Sequence, residues 1–178
     1  MKKHILSLIL LLIGITAFAQ TPEFSDRPYI MQNKKLTDLE RVDAQFDQKH
    51  KMLGYGGVEI YYTVFTDKSS VRFSKAELPK LVIQVEKGID PAEKFTIIKA
   101  KIKKGKRNFT VGNYGMGGKA KSTSDTQVSV TFKKIKENFY EILLPSDIQA
   151  GEYAFVPNGT EAMSAGNKMK ITCFGIDN

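Results

Sequence analysis

Short runs of alternating apolar and polar residues, each closed by turn-forming residues, recur at roughly ten-residue spacing from Val58 to the end of the chain. In VEIYYTVFT (58–66), Val58, Ile60, Tyr62 and Val64 share one face, the two-residue period of a half-buried strand. LVIQVE (81–86) is a second run, and FTIIKAKIK (95–103) sets Ile98, Ala100 and Ile102 opposite Lys99, Lys101 and Lys103. Val128, Val130 and Phe132 line one face of TQVSVTFK, and the runs 139–144, 152–156 and 168–174 complete the set, with 28–32 as an N-terminal strand. About seven or eight such strands predict an all-β antiparallel sandwich or barrel and argue against a βαβ fold.

Two segments carry helical features. Asp90-Pro91-Ala92-Glu93 has an N-cap aspartate, proline at the first helical position and an acid at the third, which suits one short turn between strands. Leu36, Leu39, Val42 and Phe46 stand at helical spacing among acidic residues; a short amphipathic helix over 36–49 and an extended crossing of the sheet both fit this pattern. The expected organisation is therefore 1–19 as a leader, 20–57 as a strand and a helix or extended segment packing on the sandwich, and 58–178 as the sandwich itself.

The start of the chain has the form of an export signal. Lys2 and Lys3 precede an apolar run from Ile5 to Ile15, and Ala17-Phe18-Ala19 has the small-x-small spacing that a signal peptidase cleaves, so a mature chain is expected to begin at Gln20. The apolar run is too short for a permanent transmembrane helix, and no other segment qualifies. Without residues 1 to 19 the 178-residue chain keeps 159 residues, enough for one domain with a real core, and its formal charge falls from +8 to +6. Cys173 is the only cysteine, so no intramolecular disulfide forms; its place in the alternation Met169, Ile171, Cys173 predicts a buried, inert thiol. Gln20 rather than cysteine follows the cleavage site, which argues against a lipid anchor.

The segment from Leu144 to Tyr153 marks the fold most specifically. A strand ends in Leu144, a turn rich in Pro, Ser and Asp follows, Gly151 lets the chain reverse, and Tyr153 opens the next strand. That is the order of a tyrosine corner, in which the phenol bonds to upstream backbone and pins a sandwich crossover. With no tryptophan and no cysteine pair, the sandwich is expected to be Ig-like in architecture only. Asp90-Pro91-Ala92-Glu93-Lys94-Phe95, Arg107, Gly151-Glu152-Tyr153-Ala154-Phe155 and the terminal Phe174-Gly175-Ile176-Asp177 together resemble a family of uncharacterised exported bacterial proteins with an Ig-like β-sandwich. The resemblance spans roughly 58–178, and more weakly Tyr29 and Leu39-Glu40; Ala150 stands where the family pattern has proline. It implies the fold and an exported location, and it carries no activity, cofactor or site residue.

The chemistry-bearing residues leave few options. His50 is the only histidine after the leader, so neither a nucleophile–histidine pair nor a histidine-rich zinc site can be assembled, and no cofactor is expected. Asp38, Glu40, Asp43 and Asp47 cluster in sequence and are the source of the one enzymatic alternative, a carboxylate-dependent glycan hydrolase. Gly112-Asn-Tyr-Gly115-Met-Gly117-Gly118-Lys119 departs from a phosphate-binding loop at Asn113 and at Ala120. It is expected to be a strand connection, with Tyr114 and Met116 as candidate ligand contacts.

The strongest functional signal is the basic run Lys99, Lys101, Lys103, Lys104, Lys106 and Arg107. Period two puts its first three lysines on one strand face, and Lys104-Gly105-Lys106 extends them into a hairpin. Such a run reads either as a solvated edge that resists aggregation or as an anion-binding surface. No aromatic residues interleave with the lysines for base stacking, which argues against nucleic acid. These features together predict a non-enzymatic protein that binds or assembles in the envelope or outside the cell, its partner an anionic envelope component or another protein. A structural subunit that exchanges a strand is the remaining alternative.

Overall fold

The computed structural model of the chain describes residues 21–51, 57–123, 125–158 and 168–178. The expected leader and its cleavage site at Gln20 lie outside the described residues. The fold is all-β. Five strands form one antiparallel sheet in the order β11 (Thr131–Lys136), β12 (Phe139–Leu143), β6 (Lys80–Gln84), β1 (Pro28–Gln32) and β2 (Lys35–Asp38). The second sheet runs β10 (Gln127–Val128), β7 (Phe95–Lys99), β13 (Gly151–Pro157), β14 (Lys168–Asp177), β3 (Glu40–His50), β4 (Val58–Val64), β9 (Lys106–Tyr114) and β8 (Lys101–Lys103). β5 (Arg72–Ser74) adds to it by pairing parallel with the end of β14.

The second sheet curls because of how its ends are joined. β7 and β8 sit near opposite ends of the strand order, yet only Ala100 separates them in the chain. Lys99 pairs with Tyr153 of β13, whereas Lys101 pairs with Asn108 of β9. A flat sheet cannot place consecutive residues at both edges, so this one rolls into a half-barrel. The run 95–103, which reads as one strand by alternation, is thus two strands with a bend at Ala100.

Alternation along β13 and β14 then feeds two cores. Tyr153, Phe155, Phe174 and Ile176 point out of the curl and meet Leu81, Ile83 and Ile142 of the five-stranded sheet. Ala154, Val156, Ile171 and Cys173 point into the curl with Ala44, Tyr62 and Phe109. Burying side chains of this size stabilises by about 1.5–3 kcal/mol each, and strands buried on both faces contribute on both sides. The tyrosine corner is present: the Tyr153 hydroxyl donates to the Gln149 carbonyl at 2.5 Å, and its ring stacks on Phe174 at 5.4 Å between centroids.

Of the two forms that fit residues 36–49, the extended one is present and the helix is not. Asn33 and Lys34, both at positive φ, turn β1 into β2, and β3 is hydrogen-bonded on one side to β14 and on the other to β4. Two open strand edges offer backbone partners along the whole segment, which outweighs a four-position helical spacing. The segment supplies strands to both sheets. Fourteen strands among the described residues exceed the seven or eight counted from alternation. The Asp90 cap over Pro91–Glu93 is as expected, with its carboxylate accepting from the Ala92 amide at 2.9 Å.

Candidate functional site

The basic run is divided by the strand alternation that carries it. Lys99 lies along Gly151 with its ammonium 5.9 Å from the Tyr153 ring centroid, so it packs over the tyrosine corner. Lys101 lies 3.6 Å from Glu59 and 3.9 Å from Asp125, which largely cancel its charge. Lys103, Lys104 and Lys106 form the tip of the β8–β9 hairpin. Lys104 (φ 50°) and Gly105 (φ 71°) provide the two left-handed residues of a tight hairpin turn. Lys103 and Lys104 are exposed, with no ion pair among the described residues, and the Lys106 ammonium sits 4.4 Å from the ring centroid of Phe65.

Two apolar side chains share this tip. Phe65 is 56% exposed and Ile102 is 52% exposed, the two highest values among the large hydrophobic residues described. Sequence reasoning missed both. Phe65 extends the alternating run past Val64, and Ile102 keeps the face opposite the lysines that alternation predicts, where the edge position of β8 leaves it uncovered. The outer face of the tip is therefore amphipathic, with its lysines beside the Phe65 ring, while Ile102 takes the opposite face with its register partner Arg107.

Arg107 does not belong to that surface. Its side chain is 0% exposed and points into the curl beside Phe109. Nη1 donates to Glu40 Oε2 at 2.7 Å and Nη2 to Glu40 Oε1 at 3.3 Å, while Nε and Nη2 donate to the backbone and side-chain oxygens of Thr66 at 3.2 and 2.7 Å. Glu152 Oε2 lies 3.8 Å from the same guanidinium and accepts the Ser69 amide at 2.7 Å. Arg72 links Glu152 to Asp177 and so extends the ladder to the surface. The ladder caps the curl above Cys173.

The charges shift one another in a consistent sense. Burial pushes the Glu40 carboxyl up, but its bonds to Arg107 and Ser69 and the attraction of Arg107 outweigh that and hold it below its ordinary 4.5. Hydrogen bonds to Asp177 and Glu152 keep Arg72 protonated beyond its ordinary range. The Cys173 thiol is pushed up to about 12 by burial, so it stays neutral and unreactive at physiological pH.

The carboxylates singled out for hydrolysis are dispersed. Asp38 pairs with Arg27 at 2.9 Å, Asp43 with Lys170 at 2.8 Å, and Asp47 accepts the Thr63 hydroxyl at 2.6 Å, while Glu40 faces the interior. Each acid has its own partner, and β3 alternation sends Glu40 to the opposite face from Asp43 and Asp47. His50 ends β3 and is exposed. Among the described residues, no group of three or more His, Cys, Asp or Glu side chains is placed to hold a metal ion.

The Gly112–Gly118 segment is in part a strand. Gly112 to Tyr114 complete β9, and backbone bonds from Gly115 to Lys119 (2.7 Å) and from Lys121 to Asn113 (2.6 Å) tie down the turn that follows. Tyr114 is half-buried, with its backbone paired to Val58 and bridged to Ala120; the Met116 side chain lies outside what is described. The structure thus does not bring the tip lysines and the Tyr114 turn together along β9: they occupy its two ends. No helix among the described residues is long and apolar enough to cross a membrane. In comparisons with known proteins, no family model, no curated protein and no solved structure matches the chain.

Proposed function

We propose that this chain is an exported, non-enzymatic binding protein of the cell envelope, and that the β8–β9 hairpin tip attaches it to phosphate-bearing envelope amphiphiles. The observation that carries the reading is the amphipathic outer face of the tip: Lys103, Lys104 and Lys106 around the exposed Phe65. Lysines attract an anionic surface with about 1 kcal/mol each, and the neighbouring aromatic side chain adds burial once contact is made. The export leader supports the location, with Gln20 as the mature N-terminus. The tyrosine corner and the two-sheet layering support an Ig-like sandwich, in keeping with the exported family that the chain resembles.

The test is co-sedimentation with vesicles. The protein is expected to bind phosphatidylglycerol vesicles and not phosphatidylcholine vesicles, and to be released as salt rises, because exposed charges are screened over about 8 Å at physiological ionic strength. Lys103, Lys104 and Lys106 replaced together by glutamine should lose this binding with no change in melting temperature. Equal retention of the parent and the triple variant would refute the tip as the contact. Mass spectrometry of protein recovered from the producing cell's exported fraction tests the location: a chain beginning at Gln20 is expected, and an intact Met1 counts against export by this leader.

A further inference from the structure

On the outer side of the curl, β3, β4, β9 and β8 contribute no residue to the core between the two sheets. Alternation fixes what these strands and the start of β14 present there. Val42, Ala44 and Phe46 of β3 and Ile171 of β14 point into the curl, so Arg41, Asp43, Lys168 and Lys170 point away from it.

Strand register aligns these side chains with the hairpin tip. Lys168 pairs with Gln45, Gln45 with Thr63, Thr63 with Asn108, and Asn108 with Lys101. Two residues nearer the tip on each strand stand Lys170, Asp43, Phe65, Lys106 and Lys103. Lys170 and Asp43 are register partners, as are Lys106 and Lys103, and the Lys106 ammonium lies 4.4 Å from the Phe65 ring centroid. Arg41 follows two residues beyond Asp43, paired with Thr172.

Charge in these three rows has one dominant sign. Six cations stand with a single acid, Asp43, whose carboxylate accepts from Lys170 at 2.8 Å. Asp47 and Glu59 enter only further from the tip, where Glu59 lies 3.6 Å from Lys101. Arg41 and Lys168 are exposed and form no salt bridge among the described residues.

We propose that the hairpin tip is one end of a basic face crossing β8, β9, β4, β3 and β14, and that this whole face, with Arg41 and Lys168 at its far end, lies against an anionic bilayer surface. The inference rests on the tip being a point of attachment. Four gaps of about 4.8 Å between neighbouring strands spread the cations over about 19 Å along the sheet, wider than one phosphate group can bridge. That spacing suits a surface of many charges rather than a single captured headgroup. The face is convex, and the long stems of lysine and arginine reach past the curvature. Phe65 is the only apolar side chain facing outward in the three rows, so the tip end enters the interface while the β3–β14 end rests on charge alone.

The test is co-sedimentation of the full exported chain with phosphatidylglycerol vesicles. Arg41→Gln combined with Lys168→Gln should weaken binding about 25-fold, roughly fivefold for each cation, with a shallower salt dependence and an unchanged melting temperature. Lys87→Gln combined with Lys133→Gln removes the same charge from exposed positions outside this face and should bind like the parent. Vesicles should protect Lys168 and Lys170 from acetylation and leave Lys133 reactive, and dissolved glycerol phosphate should not release the protein. If the Arg41 and Lys168 variant binds like the parent while the tip triple variant is released, the extended face is overturned and the tip attachment stands. Retention of the tip triple variant would refute the tip attachment and this inference together. Equal weakening by the Lys87 and Lys133 variant, or release by glycerol phosphate, would point to net charge or to a single phosphate site and so overturn the face.

Discussion

Lys106 and Arg107 are consecutive cations on one strand with opposite surroundings. Lys106 is on the outer face at a hairpin tip, half-buried against an exposed aromatic ring. Arg107 is turned into the curl, where four hydrogen bonds from its guanidinium reach Glu40 and Thr66. Both carry the same formal charge, yet one is available to a partner and the other is part of the core's construction. The strand period decides which: a single step along β9 exchanges solvent for an ion ladder. The ladder extends from Glu40 through Arg107, Glu152 and Arg72 to Asp177, joining β3, β9, β13, β5 and β14, so it ties the wall of the half-barrel together where the apolar filling ends.

The comparison is broken most directly at Arg107. Arg107→Met leaves Glu40 in the curl without its cation, and removing one partner of a buried pair costs about 3–5 kcal/mol. Lys106→Met should change stability by less than about 0.5 kcal/mol, as a surface substitution does. Urea denaturation of the two variants measures the difference; similar midpoints would mean that the ladder contributes nothing the surface does not.

Acid should weaken the inward region and spare the outward one. The Glu40 carboxyl titrates below its ordinary 4.5 in the folded chain, so its contribution is complete above pH 4.5 and is lost as pH falls through the lowered folded value. Thermal melts from pH 7 to pH 3 should therefore show a steeper decline for the parent than for Glu40→Gln, which begins less stable but has no such carboxylate to protonate. Parallel declines would place the acid sensitivity elsewhere.

Tyr153→Phe probes the junction between the two cores. The ring keeps its stacking on Phe174 while the bond to Gln149 is lost, for a cost of about 0.5–1.5 kcal/mol. A chemical-denaturation midpoint equal to the parent's would mean that the corner is only a packing feature. The smallest effect on stability is expected for the triple glutamine variant at the hairpin tip, within about 0.5 kcal/mol of the parent, although it should abolish vesicle binding.

Alternation was enough to find β1, β4, β6, β12, β13 and β14, because each buries at least one face and so keeps an apolar residue at every second position. It failed where burial is partial or interrupted. β9 reads as a lysine-rich stretch running into glycines, since Arg107 takes an interior position that an apolar residue would have revealed. β3 is apolar only at Val42, Ala44 and Phe46, and its outward Arg41, Asp43 and Asp47 disguise it as a solvated helix face.

By itself the sequence determined an all-β chain, the tyrosine corner at Leu144 to Tyr153 and the buried character of Cys173, because turn chemistry and two-residue periodicity are local properties. Only the tertiary structure decided that Ala100 passes the chain between distant strands and curls the sheet, that Arg107 leaves the lysine face for the interior, and that Phe65 and Ile102 remain uncovered. Those outcomes depend on which strands become neighbours, and strand pairing is settled by the sum of many distant contacts rather than by any residue's own neighbours in sequence.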